Sequence, residues 1–242
     1  MSGAGTVQFC SDLLRGLLDL VYPPHCLLCG TFGDFEICDP CIAQLIVPVP
    51  SPYCLRCGQI QPGAECLKCV DYPAMLLRCR SVGVYDGNLA EAIHKLKYQD
   101  RPMLAKPLSR IMADYLKVRS EIMGGLQFDS VVPVPLHNLR ERHRGYNQSE
   151  RLARGIASEL GLRLDTKALV RTRRTRPQVG QHRSKRLVNL KGAFRADTVR
   201  CAGKTLLLVD DVSTTGSTIS ECARALIAAG ANAVYAISLA AS

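Results

Sequence analysis

Short apolar runs alternate with segments of helical period from about residue 80 to the end of the chain. The apolar runs predict strands at 81–85, 128–135, 204–209 and 233–239, with another that begins at Ala168. Apolar residues at helical spacing predict helices at 88–98, 103–119, 147–160 and 215–229. Because strands that alternate with helices form parallel sheets, we expect an α/β fold with a doubly wound parallel sheet over 80–242.

Polar clusters follow three of the predicted strands. One is the segment 134–138, the second is the basic run 171–174, and the third is the pair Asp210 and Asp211. Ligands of open α/β sheets bind at the carboxyl ends of the strands, where these clusters would converge. We therefore expect a ligand site at this edge of the sheet.

The segment LLLVDDVSTTGST at 206–218 carries the most specific of these clusters. A predicted strand leads to the two aspartates, and a loop with five hydroxyl residues around Gly216 then opens a helix. The hydroxyl residues are Ser213, Thr214, Thr215, Ser217 and Thr218. Backbone N–H groups at a helix N-terminus, with hydroxyl donors and a glycine, form a phosphate-binding loop. Neighbouring carboxylates repel each other, so we expect them to hold two adjacent hydroxyls or a magnesium-bound ligand.

A diol close to a phosphate describes a ribose 5-phosphate, which is the ligand that this segment predicts. The simpler interpretation is a plain turn from strand to helix with a Ser or Thr cap. That turn accounts for one hydroxyl, but not for five and not for two adjacent carboxylates. The segment is not a Walker A loop, because it contains no Gly-Lys-Ser or Gly-Lys-Thr.

The formal charge of +10 is concentrated in one part of the chain. Residues 137–195 hold sixteen lysines and arginines and four acidic residues, a balance of +12, so the remaining residues sum to −2. This basic block indicates an anionic partner such as phosphate, pyrophosphate or nucleic acid, and a solvated basic face is the alternative.

Eight of the twelve cysteines form an internal repeat in the N-terminal third. The pattern C-x2-C-x8-C-x2-C occurs twice, and every cysteine recurs after 28 residues. The repeated cysteines are Cys26, Cys29, Cys38 and Cys41, and then Cys54, Cys57, Cys66 and Cys69. The spacing predicts two structural zinc sites, in which each copy closes its own site or the copies pair crosswise. Disulfides, a redox pair and an iron–sulfur cluster are less favoured alternatives.

The zinc ribbon segment at 23–72 has too few large apolar residues to form a core without metal. Residues 1–80 carry five basic and seven acidic residues, which argues against a strongly DNA-binding surface. Local DNA contact would have to use Arg56, Lys68 or stacking on Tyr53. The other cysteines are expected to be small core or surface residues, and they are Cys10, Cys79, Cys201 and Cys222.

The first 22 residues predict an amphipathic helix that ends at Pro23 and Pro24. They lack the basic start of a signal peptide. The apolar C-terminal stretch contains a Gly-Ala-Asn turn, which divides it into a helix end and a strand, so no membrane span is expected. These features predict a cytoplasmic protein.

The segment 206–218 resembles the phosphoribosyl-pyrophosphate (PRPP) motif of type I phosphoribosyltransferases. The order of a double zinc ribbon, PVPLHNLRERHRGYNQS, TRPQVGQHRSKRLVNLKGAF and this motif resembles the ComF family over about residues 20–240. That family is amidophosphoribosyltransferase-like and is linked to DNA uptake in bacterial competence. The resemblance implies PRPP as ligand, magnesium as its cofactor, and displacement at the ribose C1 carbon with release of pyrophosphate.

The resemblance also assigns roles to residues. The two aspartates would be the catalytic residues that hold the ribose 2′ and 3′ hydroxyls, and the hydroxyl loop (213–218) would wrap the 5′-phosphate. Pro135, in the loop 133–136, would meet the pyrophosphate with Arg144 nearby. The basic stretch 172–186 would be the flexible loop that closes over PRPP, through Arg173, Arg174 and Arg176.

The acceptor of the reaction is not indicated by any segment. Thr214 stands where some relatives carry an acidic base, so an acceptor would have to activate itself or be activated elsewhere. Cys10 follows a helix-entry segment, so glutamine-dependent amidotransfer is not expected. The alternative function is a PRPP-sensing or non-catalytic protein that binds single-stranded DNA through the basic block.

Five further polar residues have two interpretations each. His94 and Lys97 fit a solvated helix face better than the ligand edge. His137 and His143 fit a loop surface as well as a phosphate contact. Tyr146 would stack on a base or pack in the core.

Overall fold

The computed structural model describes residues 23–60, 66, 69–70, 72–99, 101–120, 123, 125, 127–173 and 190–242. The chain divides into two compact units, Met1–Leu45 and Ile46–Ser242. The helix predicted at 1–22 lies outside the described residues. The domain boundaries predicted at 22, 72 and 80 stay predictions.

The N-terminal unit is built around the first cysteine repeat. His25 and Phe32 pair in an isolated antiparallel bridge, and helix α1 (Asp39–Ala43) follows with Pro40 in its first turn. The buried apolar residues of its described part are Cys26, Ile37, Cys38 and Leu45. Because two of these four are cysteines of the repeat, the fold of this unit depends on what the cysteines bind.

The C-terminal unit holds the other elements. Its helices are α2 (Gly87–Tyr98), α3 (Ala105–Val118), α4 (Asn138–Arg144), α5 (Gln148–Leu160), α6 (Thr198–Cys201) and α7 (Ser217–Ala228), with a 3-10 turn at Pro102–Leu104. Its strands are β1 (Leu76–Val84), β2 (Ser130–Pro133), β3 (Leu169–Arg171), β4 (Phe194–Ala196), β5 (Thr205–Ser213) and β6 (Ala233–Ala241).

Four of the strands form a parallel sheet in the order β1-β6-β5-β2. Leu206 and Leu208 of β5 pack in one core with α7, while Leu207 and Val209 are fully buried and point to the opposite face. On that face α5 packs against β2 and β5, and α3 packs against β1 and β6. Helices therefore cover both faces, which confirms the predicted doubly wound sheet.

Strand β5 is longer than predicted. It continues through Asp210 and Asp211 to Ser213, because β6 pairs with it as far as Ala241. On its other side β2 stops at Pro133, opposite Val209. The aspartates therefore lie within β5, and the prediction that they follow the end of the strand is wrong.

The basic run 171–174 does not follow a strand of the parallel sheet. Strand β3 pairs antiparallel with β4 in a separate two-stranded sheet, with Leu169 opposite Ala196. The prediction that three polar clusters follow strands of one sheet is therefore wrong for this run. A run of three strand residues carries no sequence signal for its partner, so pairing with β4 was not visible from the pattern.

The second cysteine repeat is part of the core of the C-terminal unit. Cys57, Cys69 and Tyr72 lie in the same buried cluster as Leu76 of β1 and as residues of α7. Cys79, Cys201 and Cys222 are buried, as expected for small core residues, and Cys10 lies outside the described residues. Among the helices that the structure describes, none has the length and apolar character to cross a membrane.

Candidate functional site

Asp210 and Asp211 are both buried, with exposed fractions of 8% and 4%. Both are residues of β5, which continues through them to Ser213. They lie beyond the last residue of β2, where Val134 donates from its backbone to the Val209 carbonyl at 2.9 Å. Each carboxylate contacts a different side chain, Ser149 for Asp210 and Lys97 for Asp211.

Asp210 accepts a hydrogen bond from Ser149 Oγ at 3.0 Å. Ser149 lies in the first turn of α5. The helix begins after Asn147, whose side chain accepts a hydrogen bond from the Ser149 backbone N–H and is the predicted cap. Burial, together with the charge of Asp211, raises the pKa of Asp210 to about 7, against the lowering effect of Lys97. The Asp210 carboxyl therefore changes charge close to neutral pH.

Asp211 forms an ion pair with Lys97, with Nζ and Oδ1 separated by 2.9 Å. The interpretation of Lys97 as a solvated residue is wrong, since only 18% of its side chain is exposed. The sequence signal was present, because Lys97 stands one helical turn after the buried Ile93 of α2. The second carboxylate oxygen, Asp211 Oδ2, is buried and has no hydrogen-bond partner in the described part of the protein.

The hydroxyl loop joins β5 to α7. Gly216 has φ +71° and is the residue before the first turn of α7, where the Thr215 and Ser217 hydroxyls lie 2.7 Å apart. Ser213 and Ser217 are buried, and Thr214 is exposed. Left-handed backbone at Gly216 turns the chain into the helix, so the first N–H groups of α7 and the hydroxyls belong to one turn. This arrangement fits a phosphate group.

The second cysteine repeat contacts the hydroxyl loop directly. The Gln59 side chain donates to the Thr214 carbonyl at 3.1 Å, and Tyr72 Oη donates to the Thr215 carbonyl at 3.5 Å. A Cβ at Gly216 would stand 1.6 Å from Tyr72 Oη, so the tyrosine packs on the loop at the position of the glycine. Sequence reasoning missed Gln59, Tyr72 and Ser149, because contacts between distant segments leave no local pattern.

The loop after β2 and the start of α5 form the neighbouring part of the site. Asn147 donates to the Val134 carbonyl at 3.1 Å, next to the partly buried Pro135. Arg144 donates to Gln148 Oε1, and its guanidinium lies 5.1 Å from the centre of the Tyr98 ring. The predicted roles of Pro135 and Arg144 in binding pyrophosphate stay predictions.

The predicted flexible loop is mostly outside the described residues, including Arg174 and Arg176. Arg173 is described, and its guanidinium donates to the Lys191 carbonyl at 2.8 Å. Next to it, Arg171 is half-buried with its guanidinium 5.4 Å from the centre of the Phe194 ring. Burial lowers the pKa of Arg171.

Three residues with two interpretations are now placed. Tyr146 is buried and its hydroxyl donates to the Leu96 carbonyl, so it packs in the core. His137 caps α4 by accepting from the Leu139 backbone at 3.3 Å. His94 is exposed, as predicted, and its ring contacts Tyr98.

Each cysteine repeat closes its own cluster, which answers the question of pairing. All four sulfurs of a repeat lie within 4.8 Å of one another. The distances between Cys29 and Cys38, Cys57 and Cys66, and Cys54 and Cys69 are 3.6, 3.6 and 3.7 Å. A tetrahedral zinc ion with bonds of about 2.3 Å places its sulfurs roughly 3.8 Å apart, so both clusters fit zinc.

Arg56 is not available for the local DNA contact predicted for the ribbon. Its guanidinium donates to the carbonyls of Tyr72 at 3.1 Å and of Pro73 at 2.8 Å. Longer bonds at 3.4 Å reach Cys69 and Leu76. Arg56 therefore holds the second repeat to the start of β1.

Two family models match the chain. A model described as "Double zinc ribbon domain" matches residues 17–72, and one described as "Phosphoribosyl transferase domain" matches residues 147–242. The chain is also similar to a solved glutamine PRPP amidotransferase from B. subtilis, with 20% identity and a TM-score of 0.41. That similarity covers 60% of this chain and 30% of that one, so the chain spans less than a third of its length.

The chain is also similar to bacterial proteins whose names refer to DNA utilization or to competence. "DNA utilization protein YhgH" from Salmonella typhimurium is 36% identical over 72% of this chain and 76% of that protein. Its Escherichia coli counterpart is 38% identical over 70% and 74%, respectively. "Competence protein F" from Haemophilus influenzae is 32% identical over 60% and 64%. With the two matched domains in this order, the chain belongs to the ComF family.

Proposed function

We propose that the protein binds PRPP with magnesium and catalyses displacement at the ribose C1 carbon, with release of pyrophosphate. The observation that carries this proposal is the juxtaposition on β5 and α7 of two buried carboxylates and a hydroxyl loop, with Asp211 Oδ2 left without a partner among the described residues. A buried carboxylate oxygen without a donor is costly unless a ligand supplies one. A ribose diol supplies two hydroxyl donors.

Different residues at this edge of the sheet would bind different parts of PRPP. The N–H groups at the start of α7 and the hydroxyls of Thr215 and Ser217 would hold the 5′-phosphate. Asp210 and Asp211 would accept hydrogen bonds from the ribose hydroxyls, and their oxygens are the donor type that magnesium prefers. When bound, magnesium would neutralise charge on the diphosphate. The ion pair of Lys97 with Asp211, at 2.9 Å, limits the repulsion between the two carboxylates before the ligand arrives.

The reaction needs no nucleophile from the protein. Displacement at C1 passes through an oxocarbenium-like ribose, and the site lowers the barrier by holding the ribose and stabilising the departing negative charge. Residue 214 is a threonine, whose hydroxyl is not an ordinary base, so no general base stands at this position. We infer that the acceptor brings its own nucleophilic nitrogen or oxygen in an active form.

The test is the appearance of pyrophosphate when the protein is incubated with PRPP, magnesium and a panel of amine, base and hydroxyl acceptors. We expect turnover that rises as the pH rises through about 7, because the raised pKa of Asp210 makes its ionised form predominate only above that pH. An Asp210→Asn variant should lose turnover together with this pH dependence. Absence of pyrophosphate with every acceptor would argue against catalysis and leave PRPP binding as the function.

A link to DNA is the second candidate function, since relatives are named for DNA utilization and competence. The observation in this chain is the balance of +12 over residues 137–195. If the protein binds single-stranded DNA through this block, affinity should fall steeply with salt, and Arg173→Gln should weaken it while Asp210→Asn should not. An affinity that is independent of salt would exclude electrostatic DNA binding.

A further inference from the structure

A cavity of about 60 Å³ lies beside β1, the edge strand of the sheet, two strands away from the aspartates on β5. Its polar wall consists of Tyr53, Arg80, Ser81, Tyr115 and Arg119. Tyr53 directly precedes Cys54 of the second cysteine repeat, Tyr115 belongs to α3, and Arg119 is the residue after α3. None of these residues belongs to the site proposed for PRPP.

Arg80 is the unusual residue of this cavity, because only 4% of it is exposed. It donates to the Cys79 carbonyl at 2.7 Å and to the Leu55 carbonyl at 2.8 Å. Its guanidinium also lies 5.3 Å from the centre of the Tyr53 ring. Arg80 Nε is buried and has no hydrogen-bond partner in the part of the chain that the structure describes.

The charge of Arg80 is not balanced by the described residues around it. The residues with the largest electrostatic effects on it are Tyr53, Tyr115, Arg78 and Cys79, and none of them is a carboxylate. Arginine is almost never this deeply buried without an anionic partner, because carbonyls and an aromatic face compensate only part of the lost hydration. Burial accordingly lowers the pKa of Arg80. Arg119 adds a second positive charge at the same cavity.

We propose that this cavity is a binding site for a small oxyanion, either inorganic phosphate or the phosphate monoester of a nucleotide. Arg80 supplies a buried charge whose Nε–H has no partner among the described residues, and the exposed Arg119, directly after α3, supplies a second cation. The size is suitable, since one water needs about 10–15 Å³ of such space and a tetrahedral oxyanion has four oxygens. Arginine guanidinium groups bind phosphate through paired, charge-assisted hydrogen bonds.

The experiment is a titration of the full chain with inorganic phosphate, followed by the ¹⁵Nε–¹Hε NMR signals of its arginines. The Arg80 signal is identified by its absence in Arg80→Lys. We expect this signal to shift with phosphate, and we expect Arg119→Gln to weaken that binding about tenfold, as for loss of one charge-assisted hydrogen bond. Lys117→Gln is the matched control, because it removes the same charge from the exposed end of α3 without touching the cavity.

The readout at Arg80 separates this site from phosphate bound at the hydroxyl loop, so it does not depend on the proposed function. A parallel titration with adenosine 5′-monophosphate identifies the source, since tighter binding than inorganic phosphate would assign the site to nucleotides. An Arg80 signal that stays fixed at saturating phosphate would overturn the proposal. Equal affinities of Arg119→Gln and Lys117→Gln would overturn it as well.

Discussion

An Asp211→Asn variant is expected to lose the thermal stabilisation that PRPP and magnesium give to the unchanged protein. At a ligand concentration of 100 Kd, binding stabilises the folded state by about 2.7 kcal/mol. For a chain of this size that corresponds to a rise in Tm of roughly 5–10 °C. The variant should show a rise in Tm of less than about 1 °C at the same concentrations, because a ligand that binds the folded state more weakly stabilises it less.

The reason lies in the surroundings of Asp211. Its Oδ1 is paired with Lys97, while its buried Oδ2 has no partner among the described residues and is the acceptor that the ribose would use. Asparagine keeps the shape of the side chain but replaces one of the two carboxylate oxygens with an NH2 donor and removes the negative charge. The substitution also leaves Lys97 without its counter-charge. Both a ribose hydroxyl and a magnesium-bound ligand would lose the Asp211 carboxylate as their partner.

The matched control is Asp114→Asn on the exposed side of α3. Asp114 also carries one ion pair with a lysine, Lys117, but 69% of its side chain is exposed. Such a surface pair contributes little, so the response to PRPP should be unchanged. The Tm of each variant is measured with and without ligand, because Asp211→Asn also alters the starting stability. A full ligand-induced shift in Asp211→Asn would contradict the assignment of Asp211 to the ribose.

The elements that the sequence predicted well are those whose own side chains determine their structure. The helix that begins after Asn147 and the strands on both sides of α7 follow from apolar period and capping, which are local. The cysteine spacing likewise predicted two clusters of four, since the geometry of a C-x2-C turn depends on neighbouring residues alone.

What the sequence did not predict depends on contacts between distant segments. The length of β5 depends on β6 as a partner up to Ala241, and the local change to Asp-Asp suggested an earlier end. Strand β3 has β4 as its partner, which no apolar pattern specifies. Lys97 looked like a surface residue because charge usually indicates exposure, yet Asp211 provides a buried partner that offsets its desolvation.

The second cysteine repeat is expected to be essential for the phosphoribosyltransferase-like unit, and Cys57→Ser tests this. Cys57 is buried with Cys69, Tyr72 and Leu76, so loss of this metal ligand would disturb the core of the C-terminal unit. Loss of a structural metal ligand costs more than about 3 kcal/mol. In a unit of this size we expect a fall in Tm of roughly 10 °C.

The same substitution should also weaken PRPP binding. Gln59, within the second repeat, and Tyr72, three residues after its last cysteine, donate to the backbone of the hydroxyl loop at Thr214 and Thr215. If the repeat loosens, the carbonyls lose both donors and the N–H groups of α7 lose their fixed position, which a phosphate site requires. We therefore expect the Tm rise given by PRPP to fall by more than half in Cys57→Ser.

Cys29→Ser is the matched control, since Cys29 occupies the same place in the first repeat, 28 residues earlier. Cys29 is exposed and belongs to the N-terminal unit, so its substitution should leave the response to PRPP unchanged. Zinc content measured by atomic absorption should fall by about one ion in each variant, if each cluster binds one ion. Different ligand responses at equal zinc loss would show that the second cluster positions the hydroxyl loop, whereas equal responses would contradict that role.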